Sequence, residues 1–355
     1  MKKLLIIGQL PKEYGGTYTT GVANVIVNIL PFIPKSKFDT HLWASNITTS
    51  RRNDIHQSKV YGISKERLVF LMFKYIVQYP KRILSFMRYK EFGIKPIRNL
   101  VYEMSINELI CKIQPDIIHV HNIGFLPSVF FANNKENNNI LLTYHGVFYN
   151  DKNSIEQNLR KGIDIKKLFY RASKLAHNFT ALTESMKKEA FDLLHIKSKK
   201  FNIISNGVGS QFYFDELERK LLRQHLNFKE DDNVFISVGA LTKRKNHIGA
   251  IKFLQKNIEH FKYIIVGRDG YFKDKIKNEV KNDPRVSLIP YIQNNELYKY
   301  YSAADYFIMP STQEGQSLVC LEAFSCGLPV LINIKNFGTL GVGNCFDEYH
   351  RTINF

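Results

Sequence analysis

Short apolar runs alternate with longer amphipathic stretches along most of the chain, a pattern typical of β-strands separated by helices. In the first half, the apolar runs predict strands at Lys3–Ile7, Thr40–Ala44, Asp116–Val120, Ile140–Thr143, Asn178–Leu182 and Asn202–Ile204. In the second half, they predict strands at Val234–Val238, Tyr263–Val266, Val286–Ile289, Tyr306–Met309 and Val330–Ile332. Helical patterns between the later strands cover His247–Glu259, Glu296–Ala303 and Leu318–Cys326.

This spacing predicts an α/β protein with parallel sheets and crossover helices, because parallel neighbours need a long connection. Several strands are continuously apolar, as expected of sheets covered on both faces. We expect two Rossmann-like, doubly wound domains facing a cleft. The boundary falls at the turn dipeptide Asn206-Gly207, which gives domains at 1–205 and 206–355.

Ligands of doubly wound folds bind beyond the carboxyl ends of the strands, so the residues after each strand are the candidate site. These are Gly8 and the loop to Gly16, His121, His145, Gly239–Lys245, Gly267–Gly270 and Pro310–Ser317. Two facing sheets would bring them together across the interdomain cleft, a favoured place for a small molecule.

The composition, the N-terminal segment and the cysteines indicate the compartment in which the protein works. The chain has 355 residues, 44% of them hydrophobic, and a formal net charge of +18. The apolar run after Lys2 and Lys3 is too short for a signal peptide, so we expect a cytoplasmic protein. Four cysteines without a CxxC pair favour a reducing compartment and no structural zinc.

The excess positive charge is concentrated in one window. Residues 51–98 hold twelve Lys or Arg against three acidic residues, and the segment 68–90 mixes these cations with aromatic and aliphatic residues. One interpretation is a surface that binds an anionic membrane, to which each cation contributes about 1 kcal/mol. The alternative is a pair of amphipathic core helices, the second starting at Pro80. No nucleic-acid recognition motif accompanies the charge, so a nucleic-acid partner is not expected.

Two glutamates, Glu314 and Glu322, flank the start of the helix predicted after the strand Tyr306–Met309. Ser317 is a plausible N-cap for this helix, and Gly327 with Pro329 ends it. A helix N-terminus attracts phosphate, and carboxylates accept hydrogen bonds from sugar hydroxyls. A diphosphate at the helix start, with one glutamate for a hexose and the other for a ribose, describes a nucleotide sugar.

A second candidate segment, "SVGALTKRKNH", runs from Ser237 to His247. The strand ends at Val238, and Gly239 starts a loop that carries Lys243, Arg244 and Lys245. Asn246 is a good cap for the next helix. A lysine here could neutralise a diphosphate, each such bond being worth roughly 1.5–3 kcal/mol. Taken alone, the segment could also be a solvated basic loop.

Together these segments resemble GT-B glycosyltransferases of family 4, which are retaining and metal-independent. The resemblance rests on the E-x7-E pair within "PSTQEGQSLVCLEAFSCGLPV", the Gly239–Asn246 loop, "NIISNGV", "YIIVGRDG", "PDIIHVHN" and "TYHG". It covers nearly the whole chain and is strongest over 230–332.

The resemblance implies a role for each matching residue. The catalytic residues would be Lys245 on the diphosphate, Glu314 on the donor sugar and His145 near the reacting sugar. The donor-binding residues would be Gly15, Gly16, Arg244, Gly267, Ile292, Gly315, Gln316, Ser317, Leu318 and, on the ribose, Glu322. Ala240 stands where many members have an arginine, for which Lys243 or Arg244 would compensate.

The histidines allow a rival interpretation. His119 and His121 point the same way from one strand, and with His145 they could bind zinc. We favour instead a hydrogen-bonded core residue at His119 and a residue at the cleft rim at His121. No Asp-x-Asp follows a strand where it could hold Mg²⁺ against a diphosphate, so we expect no metal and no cofactor besides the sugar donor.

The sequence therefore predicts a glycosyltransferase that moves a sugar from a UDP- or GDP-sugar to a glycan or lipid-linked acceptor. The synthesis of capsule, O-antigen or lipopolysaccharide is the expected setting. A sugar-nucleotide epimerase of the same architecture is one alternative. A non-catalytic binder is another, because the resemblance implies a longer tail with a helix that crosses back to the first domain, and the 23 residues after Ile332 look too short for it.

Overall fold

The computed structural model describes residues 1–17, 20–47, 51–63, 69–70, 73–74, 77, 85–132, 139–146, 165–194, 201–333 and 350–353. The chain divides into unit 1, Met1–Ser205, and unit 2, Asn206–Phe355. The division lies at the Asn206-Gly207 turn dipeptide, and each unit contains its own sheet.

Unit 1 is built on an eight-stranded sheet in the order β3-β4-β2-β1-β5-β6-β7-β8. Its strands are β1 Lys2–Gly8, β2 Phe38–Ala44, β3 Arg51–Ile55, β4 Ser58–Tyr61, β5 Ile117–Val120, β6 Asn139–Tyr144, β7 Asn178–Ala181 and β8 Phe201–Ile203. Its helices are α1 Gly21–Ile29, α2 Pro96–Ile113, α3 Leu126–Ala132, α4 Ile165–Ala172 and α5 Glu184–Leu194. Every pairing is parallel except the edge pair of β3 with β4.

The sheet of unit 1 is covered on both faces, which explains its continuously apolar strands. Successive residues of a strand point to opposite faces. Accordingly, Leu5 and Ile7 of β1 pack in one hydrophobic cluster, while Ile6 between them packs in another with Leu42 and Ile26. All five side chains are fully buried.

Unit 2 has a six-stranded, all-parallel sheet in the order β11-β10-β9-β12-β13-β14. Its strands are β9 Val234–Val238, β10 Lys262–Val266, β11 Val286–Ile289, β12 Tyr306–Met309, β13 Val330–Asn333 and β14 His350–Ile353. Its helices are α6 Glu216–His225, α7 His247–Asn257, α8 Lys273–Val280, α9 Leu297–Ala303 and α10 Leu318–Ser325.

An ion-pair network fixes α6 to the start of two central strands of this sheet. Asp305 precedes β12 and accepts hydrogen bonds from Arg219, from Arg223 and from the backbone N–H of Val234 at the start of β9. Arg223 is 6% exposed and also donates to the carbonyl of Asp232 at 2.6 Å. A buried guanidinium is tolerated because it is paired and hydrogen-bonded.

The predicted α/β class and two parallel-sheet domains are confirmed. Every predicted strand is present within one or two residues, and helices α7, α9 and α10 lie where the patterns placed them. The prediction omitted β3, β4 and β14. Two of these, β3 and β14, are edge strands.

The basic window 51–98 contains elements that neither interpretation predicted. It starts with β3 and β4, and Ser85–Phe92 forms a 3-10 helix whose Tyr89 is buried in the core. Residues 69–70, 73–74 and 77 are helical, but their large apolar side chains are exposed: Val69 by 70%, Phe70 by 56%, Phe73 by 69% and Val77 by 63%. The exposed positions of this segment are therefore mainly apolar, whereas the core-helix interpretation expected a basic outer face. Pro80 lies outside the described residues.

Within the described ranges, no helix has both the length and the apolar character needed to span a bilayer.

Candidate active site

Two loops of unit 2 lie side by side because they follow neighbouring strands. The turn Lys243–Lys245 follows β9, and the loop after Pro310 follows β12, which pairs with β9. The backbone N–H of Thr312 donates to the carbonyl of Arg244 at 2.9 Å. Arg244 Nη1 in turn donates to the carbonyl of Gln313 at 2.7 Å. The two loops are thus joined in both directions.

This joint brings three predicted site residues together. Lys245 Nζ lies 2.7 Å and Arg244 Nη1 lies 2.9 Å from the same Oε1 atom of Glu314. The three side chains are only 15%, 22% and 9% exposed. Burial alone would raise the pKa of Glu314, but the charges of Lys245 and Arg244 outweigh it and lower that pKa to about 2. The cluster therefore carries one net positive charge at neutral pH.

The start of α10 lies a few residues beyond this cluster. Ser317 is the N-cap, as predicted, and Leu318 is the first helical residue. The Ser317 side chain forms no capping bond, and its buried hydroxyl has no hydrogen-bond partner among the described residues apart from a weak interaction with the Cys320 thiol. Since the first N–H groups of a helix lack intrahelical partners, this end can receive an anion.

Gln316 is linked to the first residue of unit 2. Its Oε1 atom accepts a hydrogen bond of 2.7 Å from the backbone N–H of Asn206. Gln316 is 8% exposed and Asn206 is half-buried, so this bond is partly shielded from water. The neighbouring Gly315 is half-buried. The side chain of Gln316 therefore holds the loop before α10 against the start of the unit.

Glu322, the second glutamate of the pair, has a different environment. It is 3% exposed, and its Oε2 atom accepts a hydrogen bond of 2.9 Å from the hydroxyl of Tyr301 on α9. Burial raises the pKa of Glu322 to about 7, although the Tyr301 hydrogen bond acts in the opposite direction. Tyr301 was not predicted, because nothing in the local sequence joins it to Glu322.

Gly267 follows β10 at a position where the loop after β9 packs too closely for a side chain. A Cβ atom at this position would lie 2.5 Å from the carbonyl oxygen of Gly239 and 2.7 Å from the Leu241 side chain. The Lys245 side chain lies over Gly239, where a Cβ would be 3.1 Å from its Cε atom. Ile292 is half-buried and packs against the core of unit 2.

His247, whose role no sequence motif indicated, lies buried beside the turn Lys243–Lys245. It is 2% exposed and begins α7, directly after the predicted cap Asn246. Burial and the charge of Lys245 lower its pKa to about 4. The carbonyls of Gly239 and Ala240 lie close enough to oppose that shift, although neither makes a well-formed hydrogen bond with the ring. His247 is therefore a neutral residue packed beneath the cationic turn.

In unit 1, the loop after β1 requires its glycines for geometric reasons. Gly15 has φ of 86°, in the left-handed region, and a Cβ on Gly16 would lie 1.8 Å from the carbonyl oxygen of Leu10. The N–H groups of Gly15 and Gly16 donate to the carbonyls of Lys12 and Pro11. Both amides are thus used inside the loop, and their contact with a donor stays a prediction.

Three histidines of unit 1, His119, His121 and His145, lie in or directly after β5 and β6. His119 Nε2 lies 2.7 Å from Thr143 Oγ1, as expected of a hydrogen-bonded core residue. His121 Nδ1 lies 3.1 Å from His145 Nε2. His121 is 2% exposed, so its predicted place at a rim is wrong; the ring packs between the other two. Burial lowers the pKa of His145 to about 3 and that of His119 to about 4.

These histidines are not arranged as metal ligands. Among the described residues, no group of three or more His, Cys, Asp or Glu side chains is placed to hold a metal ion. Cys111, Cys320 and Cys326 are free thiols.

Comparison with known families identifies the chain. Residues 19–212 match the family model described as Glycosyltransferase Family 4, and residues 218–341 match the one described as Glycosyl transferases group 1. The first match alone spans more than half of the 355 residues. The chain belongs to glycosyltransferase family 4, which confirms the resemblance drawn from its motifs.

Similar proteins and similar solved structures include several glycosyltransferases. The chain is 28% identical over 276 residues, 74% of this chain and 68% of its counterpart, to the UDP-Gal:α-D-GlcNAc-diphosphoundecaprenol α-1,3-galactosyltransferase of Escherichia coli. Sucrose-phosphate synthase from Thermosynechococcus elongatus has the same fold, with a TM-score of 0.73 at 15% identity over 100% of this chain and 86% of that chain. Anabaena HepE in complex with UDP-glucose gives a TM-score of 0.69 at 15% identity, over 99% and 86% of the two chains.

Proposed function

We propose that this chain transfers a hexosyl group from a UDP- or GDP-sugar to a hydroxyl group of a glycan or lipid-linked acceptor, with retention at the anomeric carbon. The observation that carries the proposal is the cluster of Lys245, Arg244 and Glu314 immediately before α10. Two partly buried cations and a helix N-terminus suit a diphosphate, and a carboxylate between them suits a sugar hydroxyl.

In the proposed reaction, the bond between the anomeric carbon and the diphosphate oxygen breaks, and its electron pair stays on the diphosphate. The acceptor oxygen attacks from the same face, forms the new bond to that carbon and passes its proton to an oxygen of the departing diphosphate. Lys245, Arg244 and the amides at Ser317 and Leu318 stabilise the charge on the leaving diphosphate. These groups are already oriented by Glu314 and by the backbone, so little reorganisation is needed during the reaction.

Glu314 and Glu322 are assigned different tasks. Glu314 is held ionised by its two cations, and we assign it to the donor sugar. We assign Glu322 to the ribose hydroxyls. Its carboxylate would accept a hydrogen bond from the ribose either in place of the Tyr301 hydroxyl or in addition to it. Gly267, Ile292 and the backbone of Gly315 and Gln316 complete the proposed donor site. From unit 1, His145 and the Gly15-Gly16 loop are assigned to the reacting sugars.

The setting we propose is surface polysaccharide synthesis on a lipid-linked acceptor. It is supported by the Escherichia coli relative, whose name specifies UDP-galactose and a diphosphoundecaprenol-linked sugar. It is also supported by the exposed Val69, Phe70, Phe73 and Val77, which adjoin Lys74 within the basic window 51–98. Apolar side chains among cations suit the surface of an anionic membrane. We therefore place the protein in the cytoplasm, peripherally on the inner face of the membrane.

The proposal is tested by incubating the purified chain with UDP- and GDP-sugars and a diphosphoundecaprenol-linked acceptor, with and without EDTA. The expected result is an acceptor-dependent product whose rate is unchanged by EDTA and falls at least tenfold in Glu322→Ala. Interconversion of donors without acceptor would instead show an epimerase. A donor-dependent rise in melting temperature with no turnover on any acceptor would show a binder.

A further inference from the structure

The contact between His121 and His145 constrains where each ring carries its proton. His121 directly follows β5 and His145 directly follows β6, so two adjacent parallel strands fix the pair. The backbone of His121 is itself held, because its N–H donates to the carbonyl of Ile7 at 3.0 Å. The ring atoms His121 Nδ1 and His145 Nε2 lie 3.1 Å apart, within hydrogen-bond distance.

Both rings are neutral, so one nitrogen of the contact must donate and the other accept. Burial lowers the pKa of both imidazoles far below neutrality. Two arrangements remain. Either His121 Nδ1–H donates to a bare His145 Nε2, or His145 Nε2–H donates to a bare His121 Nδ1.

The far side of the His121 ring decides between them. His121 Nε2 is fully buried and makes no hydrogen bond with any described residue. In the second arrangement this atom would carry a buried N–H group with no acceptor, and orphaned buried donors are rarer in proteins than unpaired acceptors. In the first arrangement His121 Nε2 carries no proton, so it is only an unpaired acceptor. The first arrangement is therefore favoured, and it places the His145 proton on Nδ1.

We propose that His121 is a positioning residue that fixes His145 as the Nδ1–H tautomer, so that His145 presents a hydrogen-bond donor and not a base to an oxygen atom of the substrate. His145 is half-buried, whereas His121 is not accessible. A consequence is that the proton of the acceptor hydroxyl goes to another group. The catalytic consequence rests on the proposed function, while the tautomer itself does not.

The tautomer is measured directly by long-range proton–nitrogen correlation spectra of the full chain labelled with ¹⁵N-histidine at pH 7. The His145 signals are assigned by their loss in His145→Asn. In the wild type, we expect a protonated Nδ1 and a bare Nε2. The proposal is overturned if the proton is on Nε2.

Two variants of His121 separate positioning from packing. His121→Asn keeps an N–H donor near the Nδ1 position, so it should retain the His145 tautomer and a kcat within about threefold of wild type. His121→Ala removes the donor, so the proton should move to Nε2 and kcat should fall about tenfold. His119→Gln, which keeps a group near Nε2 for Thr143, is the matched control and should leave the tautomer unchanged.

The possible outcomes are distinguishable. An unchanged tautomer in His121→Ala, or loss of the tautomer in His121→Asn with an unchanged melting temperature, would overturn the proposal. A fixed Nδ1–H tautomer in a protein that shows no sugar transfer would support the role of His121 and refute the proposed function instead.

Discussion

Replacing Lys245 by methionine removes one charge from the cationic cluster and changes little else. Met has a similar length and keeps the apolar stem that lies over Gly239. Glu314 keeps its hydrogen bond of 2.9 Å from Arg244, so the carboxylate is not left unpaired. The variant should fold, and its effect should come from the missing ammonium group.

The size of the effect follows from the bond that is lost. A charge-assisted hydrogen bond from an ammonium group to a phosphate is worth roughly 1.5–3 kcal/mol. That corresponds to a fall of about 10-fold to 150-fold in kcat/KM for the donor. Negative charge on the leaving diphosphate grows as its bond to the sugar breaks. Most of the loss should therefore appear in kcat and less in KM.

Lys243 supplies the matched control. It lies on the same turn and is exposed, so Lys243→Met makes the same change in net charge two residues away. We expect its kcat/KM to stay within about twofold of wild type, since exposed charges are screened by water and salt. Initial rates at varied donor concentration, with the acceptor saturating, measure both variants.

The role assigned to Lys245 is refuted if Lys245→Met retains a third or more of the wild-type kcat/KM. It is also refuted if Lys243→Met is as damaging as Lys245→Met, because the effect would then reflect the total charge and not the cluster with Glu314.

Three further results are expected. Burial raises the pKa of Glu322 to about 7 in the free protein, and we assign its ionised form to the ribose, so donor binding should weaken as the pH falls below 7 and should release a proton at pH 6.5. Calorimetry in two buffers of different ionisation enthalpy measures the proton release, which Glu322→Gln should abolish. Gly16→Ala should lower the free energy of unfolding by about 1–3 kcal/mol in urea titrations, whereas Gly21→Ala, where a Cβ meets nothing within 4 Å, should not destabilise. Phe73→Ser should reduce sedimentation with vesicles containing anionic lipid, whereas Phe32→Ser should not, although the two side chains are similarly exposed, at 69% and 72%. Equal losses in the two variants would show that Phe73 is not part of a membrane-binding surface.

The interior of both sheets could be predicted from sequence because a doubly covered parallel strand must be continuously apolar. "LLII" in β1 and "YIIV" in β10 show this property. Edge strands have no such requirement. "RRNDI" in β3 and "HRTI" in β14 pair along one side only and carry charged residues, so hydrophobic periodicity does not reveal them.

The site was predictable to the extent that its chemistry lies within short segments. Lys245, Arg244 and Glu314 are found together because each follows a strand, and neighbouring parallel strands end at the same edge of the sheet. The partners that tune these groups come from elsewhere in the chain. Tyr301 reaches Glu322 from a neighbouring helix, and Asn206 meets Gln316 across 110 positions, a contact that sequence spacing cannot show.

The backbone bond between Thr312 and Arg244 also bears on how this enzyme can be re-engineered. Because each loop holds the other in register, an inserted or deleted residue in either one would displace both sets of functional groups at once. Libraries that alter loop length here should yield mostly inactive clones. New sugar preferences are better sought by exchanging side chains on the unchanged backbone.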